Sequence, residues 1–259
     1  MKIAISGKGG VGKTTLAGSL ALAFAKQGKN VLTVDADPAY SLASSLGIPP
    51  KQANEITPLA MMKDFINERT ESQTGTYGSF FKINPKVDDI PERFVVLHNG
   101  VRLLVLGTVE KGGGGCFCPE NILLKTLITH LLLTEKDVVI LDMEAGLEHL
   151  GRATTKAVDF LLVVIEPGQR SINVAKKIPE LANQIGIQRI YFVGNKIATE
   201  EDKNVITSEI GEDKFLGFLP YDVKIKEADL HGKSPFELAG EEFITQIQNI
   251  IGKLIALTG

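Results

Sequence analysis

A glycine-rich segment near the start of the chain constrains the possible fold more than any other feature. It reads Gly-Lys-Gly-Gly-Val-Gly-Lys-Thr-Thr over residues 7–15, after the apolar run of residues 2–6 and before the helical run of residues 16–26. A strand, such a loop and a helix, in that order, are the context that a phosphate-binding P-loop requires. The sequence therefore predicts a nucleotide-binding loop between its first strand and its first helix.

The residue types of this loop explain how it would bind Mg-ATP. Glycines let backbone N–H groups converge on phosphate oxygens, and the N-terminus of the following helix adds a positive dipole. Lys13 would reach the β- and γ-phosphates, and the Thr14 hydroxyl would bind Mg²⁺. The predicted nucleotide-binding residues of the loop are Gly9, Gly10, Val11, Gly12, Lys13, Thr14 and Thr15.

Short apolar runs alternate with helix-length segments along the rest of the chain. The predicted strands are residues 2–6, 30–35, 101–106, 138–142, 160–165, 189–194 and 214–219. Several of these runs are continuously apolar, which is typical of strands that are buried on both faces. Because parallel neighbours need crossover connections, the pattern predicts an α/β fold with a doubly wound, mainly parallel sheet.

We expect residues 1–259 to form a single domain. Residues 49–100 break the alternation of strands and helices, and we interpret them as an insertion with a helical stretch at residues 59–68. Near the C-terminus, residues 241–257 predict an amphipathic helix. Its apolar residues at helical spacing are Phe243, Ile244, Ile247, Ile250, Ile251, Leu254 and Ile255.

Charge and hydropathy argue against two classes of partner. The 28 Lys and Arg residues and 31 Asp and Glu residues leave a formal charge of −3, so no cationic field attracts nucleic acid or anionic lipid. No apolar run approaches the roughly 18 residues that span a bilayer, and the first residues do not resemble a signal peptide. We therefore expect a cytoplasmic protein that binds neither nucleic acid nor membranes.

Acidic residues follow two of the predicted strands. Asp37 comes after the strand of residues 30–35, and Asp142 ends the strand of residues 138–142. Sheets of this class bind ligands at the carboxyl ends of their strands. Asp142 would then hold Mg²⁺ as the Walker B carboxylate, and the Gly146 N–H would contact the γ-phosphate. Isolated acidic residues at strand ends are often solvated caps, but convergence on one triphosphate favours a binding role.

A Cys-x-Cys pair, Cys116 and Cys118, follows the glycine-rich run of residues 111–115 and precedes a predicted helix. Two thiolates cannot complete a tetrahedral site of four ligands. If the pair lay on a two-fold axis, two subunits would provide four sulfurs, enough for tetrahedral Zn²⁺ or square-planar Ni²⁺. The alternative is a pair of small buried hydrophobic residues.

The loop contains a second lysine, Lys8, which an ordinary P-loop does not require. With the segments at residues 34–38 and 142–146, it makes the chain resemble the deviant Walker A ATPases, which include MinD, ParA and the nitrogenase iron protein. This resemblance implies a homodimer that sandwiches ATP, with Lys8 on the partner's phosphates and Asp37 orienting the attacking water. The alternative for Lys8 is a solvent-facing loop lysine.

The same resemblance identifies residues beside the base. Asn195 and Lys196 follow the strand of residues 189–194, and Pro220 and Tyr221 follow the strand of residues 214–219. Both pairs match the adenine-side loops of the family. The resemblance implies that the Asn195 amide reads the base.

The Cys-x-Cys pair makes the chain look like the CooC-type nickel-inserting ATPases of carbon monoxide dehydrogenase maturation. Further segments that match these ATPases lie at residues 57–59, 84–88, 110–113, 148–150 and 164–167. This resemblance implies a metallochaperone that hands nickel to a client, either carbon monoxide dehydrogenase or a related nickel enzyme such as acetyl-CoA synthase.

Two other functions stay open. A MinD- or ParA-like positioning ATPase would need a membrane-targeting tail, but Lys253 is the only cation among residues 243–257. An iron–sulfur electron-donor ATPase of the nitrogenase type spaces its two cluster cysteines far apart, unlike Cys116 and Cys118. His149, near the Asp142 segment, is given no role.

Substitutions can separate the two functions predicted for the ATPase site, which are ATP binding and ATP hydrolysis. Lys13→Ala should abolish ATP binding, because this residue holds phosphate charge. Asp37→Asn should retain binding and lose most hydrolysis, because it positions water. Calorimetric titration with ATP and a phosphate-release assay measure the two effects, with circular dichroism as the control for folding. Full turnover by Asp37→Asn would remove the role assigned to Asp37.

Overall fold

The computed structural model describes residues 1–72, 81–107, 118–144 and 157–258. Within these ranges one sheet of eight strands forms the centre, in the order β3-β4-β2-β5-β1-β6-β7-β8. The strands are β1 (Lys2–Gly7), β2 (Val31–Ala36), β3 (Val96–His98), β4 (Val101–Val105), β5 (Val138–Met143), β6 (Phe160–Ile165), β7 (Ile190–Ile197) and β8 (Phe215–Pro220).

Helices connect these strands and flank the sheet. The described helices are α1 (Lys13–Lys26), α2 (Leu42–Ser45), α3 (Pro50–Ala53), α4 (Lys63–Thr70), α5 (Ile90–Phe94), α6 (Pro119–Thr134), α7 (Gln169–Ile185), α8 (Glu200–Ile210), α9 (Val223–Leu230), α10 (Pro235–Leu238) and α11 (Glu241–Ala256). Short 3₁₀ turns occupy Leu59–Met61 and Glu212–Lys214.

The sheet is parallel except for its edge strand β3, which pairs antiparallel with β4. β1 lies between β5 and β6, so chain segments from both halves of the sheet meet at its carboxyl end. Side chains along β1 alternate between two buried clusters: Ala4 belongs to one cluster, and Ile3 and Ile5 belong to the other. A sheet buried on both faces by crossover helices confirms the predicted doubly wound, mainly parallel α/β fold.

Three details of the predicted strands are wrong. β3 was not predicted, because three partly exposed residues at an edge are too short to produce a recognisable pattern. β7 continues to Ile197 through a register irregularity instead of ending at residue 194, so Asn195 and Lys196 lie inside a strand and not after it. Pro220 is likewise the last residue of β8.

Residues 49–100 contribute to the core. The helix predicted at residues 59–68 is divided at Met62 into the 3₁₀ turn Leu59–Met61 and α4. Fully buried side chains of this stretch, including Ile66 and Ile90, belong to the same apolar cluster as α6. Whether residues 1–259 form a single domain with an insertion stays a prediction.

The C-terminal amphipathic helix is confirmed as α11. Its buried residues, Phe243, Ile247, Ile250, Ile251 and Leu254, pack on β8 and α1. The apolar face of α11 is thus covered by the sheet and not presented to solvent. Of the helices in the described ranges, none combines the length and the apolar character needed to cross a bilayer.

A pair of isoleucines one helical turn apart tests this packing. Ile251 is 1% exposed and Ile255 is 48% exposed. Ile251→Ala should lower the free energy of unfolding by about 2–5 kcal/mol, because it leaves a cavity against the sheet. Ile255→Ala is the matched control and should change it by less than about 0.5 kcal/mol. Urea denaturation measures both; equal effects would contradict the packing of α11 on the sheet.

Candidate functional site

The glycine-rich loop joins the end of β1 to the start of α1 at the centre of the sheet. Gly10 and Gly12 have φ values of 81° and 97°, which is the left-handed region that favours glycine. A Cβ atom on Gly12 would come within 2.2 Å of the Asn195 Nδ2 atom. Glycine at this position is therefore required both by the backbone conformation and by the close approach of β7.

Two residues of β7 fasten the loop to the rest of the sheet. The buried Asn195 Nδ2 donates to the Val11 carbonyl oxygen at 2.7 Å. The Lys196 Nζ donates to the Gly10 carbonyl oxygen and to Glu166 Oε2, both at 2.7 Å. Lys196 has a φ of 59°, an uncommon conformation for a residue with a side chain. Both residues thus hold the loop directly, a contact that the sequence did not predict.

A cleft of about 510 Å³ opens beside the loop. Its size lies within the range of small-molecule sites. Eight predicted nucleotide-binding residues line it together: Gly10, Gly12, Thr14, Thr15, Asn195, Lys196, Pro220 and Tyr221. The structure thus brings the loop and the predicted adenine-side residues to one cavity, although they lie 180 to 211 residues apart in the sequence.

Other lining residues of the cleft were not predicted from the sequence. Ser41, Ser44 and Ser45 lie around α2, and Lys226 and Asp229 belong to α9. Each is an ordinary polar residue on a short helix, without a motif of its own. Only the packing of these helices beside the loop identifies them.

Two buried aspartates lie side by side at the carboxyl end of the sheet. Asp35 of β2 and Asp142 of β5 are register partners, and both are fully buried. Asp35 accepts hydrogen bonds from the Leu42 and Asp37 N–H groups at 3.0 and 3.1 Å. Neither carboxylate oxygen of Asp142 has a hydrogen-bond partner among the described residues. An unpaired buried carboxylate lowers the free energy of unfolding, so the geometry favours a ligand at Asp142.

Burial controls the protonation of both aspartates. The pKa of Asp142 is raised to about 7, chiefly by burial and also by the negative charges of Asp35 and Asp37, while Thr14 and Lys13 oppose the shift. The Thr14 hydroxyl lies near Asp142 without satisfying hydrogen-bond geometry. Burial likewise raises the pKa of Asp35 to about 6. A buried carboxylate with free oxygens, near a hydroxyl at the start of α1, fits the oxygen-rich coordination of Mg²⁺.

Both predicted catalytic residues lie in ion pairs within the chain. The Lys13 Nζ is 4.0 Å from Asp37 Oδ2, and Asp37 Oδ1 accepts from the Ala39 N–H at 2.9 Å. The Lys8 Nζ donates to the Gly9 carbonyl oxygen at 3.3 Å and is 4.0 Å from Glu166 Oε1. Lys8 is therefore not a purely solvent-facing lysine. Its contact with a partner subunit stays a prediction.

The cysteine site is described only in part. Cys118 is the residue immediately before α6, where a helix N-terminus stabilises a thiolate. Cys116, Gly146 and His149 lie outside the described residues. Within the described ranges, no group of three or more His, Cys, Asp and Glu side chains is arranged to hold a metal ion. The metal assignment of the pair stays a prediction.

Comparisons with known proteins agree with this site. The family described as CobQ/CobB/MinD/ParA nucleotide binding domain matches residues 2–236. The chain is 45% identical over 239 residues to the carbon monoxide dehydrogenase accessory protein CooC of Rhodospirillum rubrum. The aligned region covers 92% of this chain and 90% of that protein. It is also 45% identical over 260 residues to an uncharacterized ATP-binding protein of Methanocaldococcus jannaschii, covering 99% and 98% of the two chains.

A solved structure supports the fold. The MinC:MinD cell division protein complex of Aquifex aeolicus matches with a TM-score of 0.67 and 22% identity, over 96% of this chain and 95% of that chain. At this identity the likeness concerns the fold alone. Together these findings confirm the resemblance to the deviant Walker A ATPases and to CooC.

The raised pKa of Asp142 makes the stability of the protein without nucleotide depend on pH. A folded-state pKa of about 7, above the ordinary 3.8, adds stability that is complete below about pH 4 and is lost as pH rises through 7. Asp142→Asn should remove this loss and make the protein more stable than wild type at pH 8, by an upper limit of about 4 kcal/mol.

Urea denaturation at pH 5 and pH 8, without nucleotide, measures this effect. The exposed Asp64 on α4 provides the matched control, because Asp64→Asn makes the same chemical change outside the site. A wild-type protein that loses no more stability than Asp142→Asn between the two pH values would contradict the uncompensated burial of Asp142.

Proposed function

Because the chain belongs to the CobQ/CobB/MinD/ParA nucleotide-binding family of P-loop ATPases, we propose that it is a homodimeric Mg-ATPase metallochaperone for nickel. ATP binding and hydrolysis would drive nickel insertion into carbon monoxide dehydrogenase or a related nickel enzyme such as acetyl-CoA synthase. The observation that carries this proposal is the nearly full-length similarity to the CooC accessory protein. As a working location for this activity we propose the cytoplasm.

The proposed nucleotide site uses the cleft beside the loop. Backbone N–H groups of residues 9–15 and the Lys13 ammonium would bind the phosphates, and the Gly146 N–H would add a donor to the γ-phosphate. Thr14 and Asp142 would hold Mg²⁺, in keeping with the unpaired oxygens of Asp142. When bound, Mg²⁺ would neutralise charge on the phosphates. Asn195, Lys196, Pro220 and Tyr221 would lie on the adenine side.

Hydrolysis would require both ion pairs of the site to open. Asp37 would release Lys13 to the phosphates and then orient the attacking water. Lys8 would cross to the phosphates of the partner subunit, as an arginine finger does in trans. Each chain would thus complete the other's active site, which makes the dimer the catalytic unit.

The proposed cargo site lies between the subunits. Cys116 and Cys118 from each chain would supply four sulfurs to one Ni²⁺, with Zn²⁺ as the competing ion. The dipole of α6 begins at Cys118 and would favour the thiolate form. Because the same dimer would hold ATP, nucleotide and metal would bind with a shared coupling free energy.

A positioning ATPase of the MinD or ParA type is the competing function. A MinD-like switch would need an amphipathic tail whose apolar face is free to bind a membrane. In this chain α11 instead buries its apolar face on β8 and α1. We therefore propose a protein partner, the client enzyme, with neither membrane nor nucleic acid. An iron–sulfur electron donor is the third possibility.

Metal stoichiometry tests the proposal. Ni²⁺ titrated anaerobically into the wild-type protein should bind at one ion per two subunits and should promote dimerisation, because two cysteines cannot fill four positions. A non-hydrolysable ATP analogue should change the affinity for Ni²⁺ by about 5- to 150-fold, which is the usual range of coupling between sites. Calorimetry and sedimentation measure these quantities.

The double variant Cys116→Ser, Cys118→Ser is the matched control and should lose tight Ni²⁺ binding while retaining ATP binding. Stoichiometric binding by this variant, or one tight ion per wild-type monomer, would rule out the shared site. The positioning function would then become the better interpretation. A brown protein with iron and sulfide would favour the electron-donor function instead.

A further inference from the structure

Glu166 occupies a position beside the glycine-rich loop that the proposed mechanism does not use. It follows the last residue of β6, and β6 pairs with β1 in a register that aligns Val164 with Gly7. Its backbone N–H donates to the Ser171 Oγ at 3.1 Å, at the start of α7. Pro167 follows at once and restricts the backbone further. The backbone of Glu166 is thus anchored at the carboxyl end of the sheet, next to the loop.

The two oxygens of this carboxylate meet two different cations. Oε2 accepts from the Lys196 Nζ at 2.7 Å, and Oε1 is 4.0 Å from the Lys8 Nζ. Lys8 is 35% exposed and Glu166 is 24% exposed, so both are accessible in part. One carboxylate therefore shares its single negative charge between a loop lysine and a strand lysine.

The conformation of Lys196 is the second observation. Its φ of 59° is unfavourable for a residue with a side chain, and such strained residues cluster at functional sites. Here the strain accompanies two contacts of the same ammonium group, with Glu166 and with the Gly10 carbonyl oxygen. Lys196 thereby competes with Lys8 for Glu166 and limits how firmly Glu166 holds Lys8.

We propose that Glu166 is a positioning residue that holds Lys8 in its own subunit and so opposes ATP-driven closing of the dimer. The inference rests on the proposed function, because Lys8 has to leave Glu166 before it can reach the partner's phosphates. The phosphates must therefore outcompete a carboxylate in each subunit. Glu166 sets the threshold of ATP binding at which the dimer forms.

The expected size of the effect follows from the exposure of the pair. Partly exposed ion pairs change an equilibrium constant by about 1.4- to 5-fold. Each dimer releases two copies of Lys8, so removal of the carboxylate should lower the dimer dissociation constant by about 2- to 25-fold. Because salt screens exposed charges, the difference should shrink at about 1 M salt.

Amine labelling tests the contact without any dimer. Acetylation of Lys8 by a water-soluble reagent, followed by mass spectrometry without nucleotide, should be faster in Glu166→Gln than in wild type. It should be slower in Lys196→Gln, because Glu166 is then left to Lys8 alone. Glu209→Gln is the matched control, because Glu209 pairs with Lys176 on other helices, and it should leave Lys8 labelling unchanged.

Sedimentation with Mg²⁺ and a non-hydrolysable ATP analogue tests the consequence. Glu166→Gln should form the dimer at about 2- to 25-fold lower protein concentration than wild type. Glu166→Asp keeps the charge and should remain closer to wild type, and Glu209→Gln should match wild type. Melting temperatures of all variants show whether the fold is intact.

Three results would overturn the proposal. The first is equal Lys8 labelling in wild type and Glu166→Gln, and the second is a dimer dissociation constant that is unchanged or raised in Glu166→Gln. The third is the expected labelling pattern with no dimer in any variant. This last result would refute the homodimer of the proposed function, and the regulatory role of Glu166 with it, while the contact with Lys8 would stand.

Discussion

The burial of two neighbouring carboxylates at the carboxyl end of a parallel sheet is the constraint on which the site depends. Asp35 and Asp142 are register partners in adjacent strands, and burial raises the pKa of each. Asp35 is satisfied by two backbone N–H groups, whereas Asp142 has no partner among the described residues. Without a ligand such a group destabilises the fold, because its desolvation is uncompensated. A bound Mg²⁺, as proposed for the ATP site, would compensate this desolvation.

The cations of the loop have their own counter-ions in the chain. Lys13 pairs with Asp37, while Lys8 and Lys196 share Glu166. Phosphates entering the cleft would replace these carboxylates, so part of the electrostatic gain of binding is offset by pairs that must open. The same exchange would free Asp37 to orient the attacking water and free Lys8 to contact the phosphates of the partner subunit. Binding, dimer closing and hydrolysis would thus be linked through three lysines.

The cysteine end of α6 is connected to the core by ordinary packing. Leu123 and Leu127 of α6 are buried in the cluster that also contains Ile66 of α4, Ile90 of α5 and Leu104 of the sheet. α6 is therefore fixed between the sheet and residues 49–100, and Cys118 at its start has a firm support. Because protein interiors are close-packed and transmit strain, a displacement of α6 would also move Cys118.

The sequence by itself determined the alternation of strands and helices, the position of the phosphate loop and the amphipathic face of α11. It also placed Asp37 and Asp142 at the ends of strands. Each of these is a local pattern with a fixed period or spacing. The sequence could not determine β3, which is too short to show a period, or the extension of β7 through Asn195 and Lys196. Only the tertiary structure joined Asn195 to Val11, 184 residues away, and Glu166 to Lys8 and Lys196. Such contacts depend on which strands become neighbours. The apolar pattern of a strand indicates which of its faces are buried, but it does not indicate which strands will pair with it.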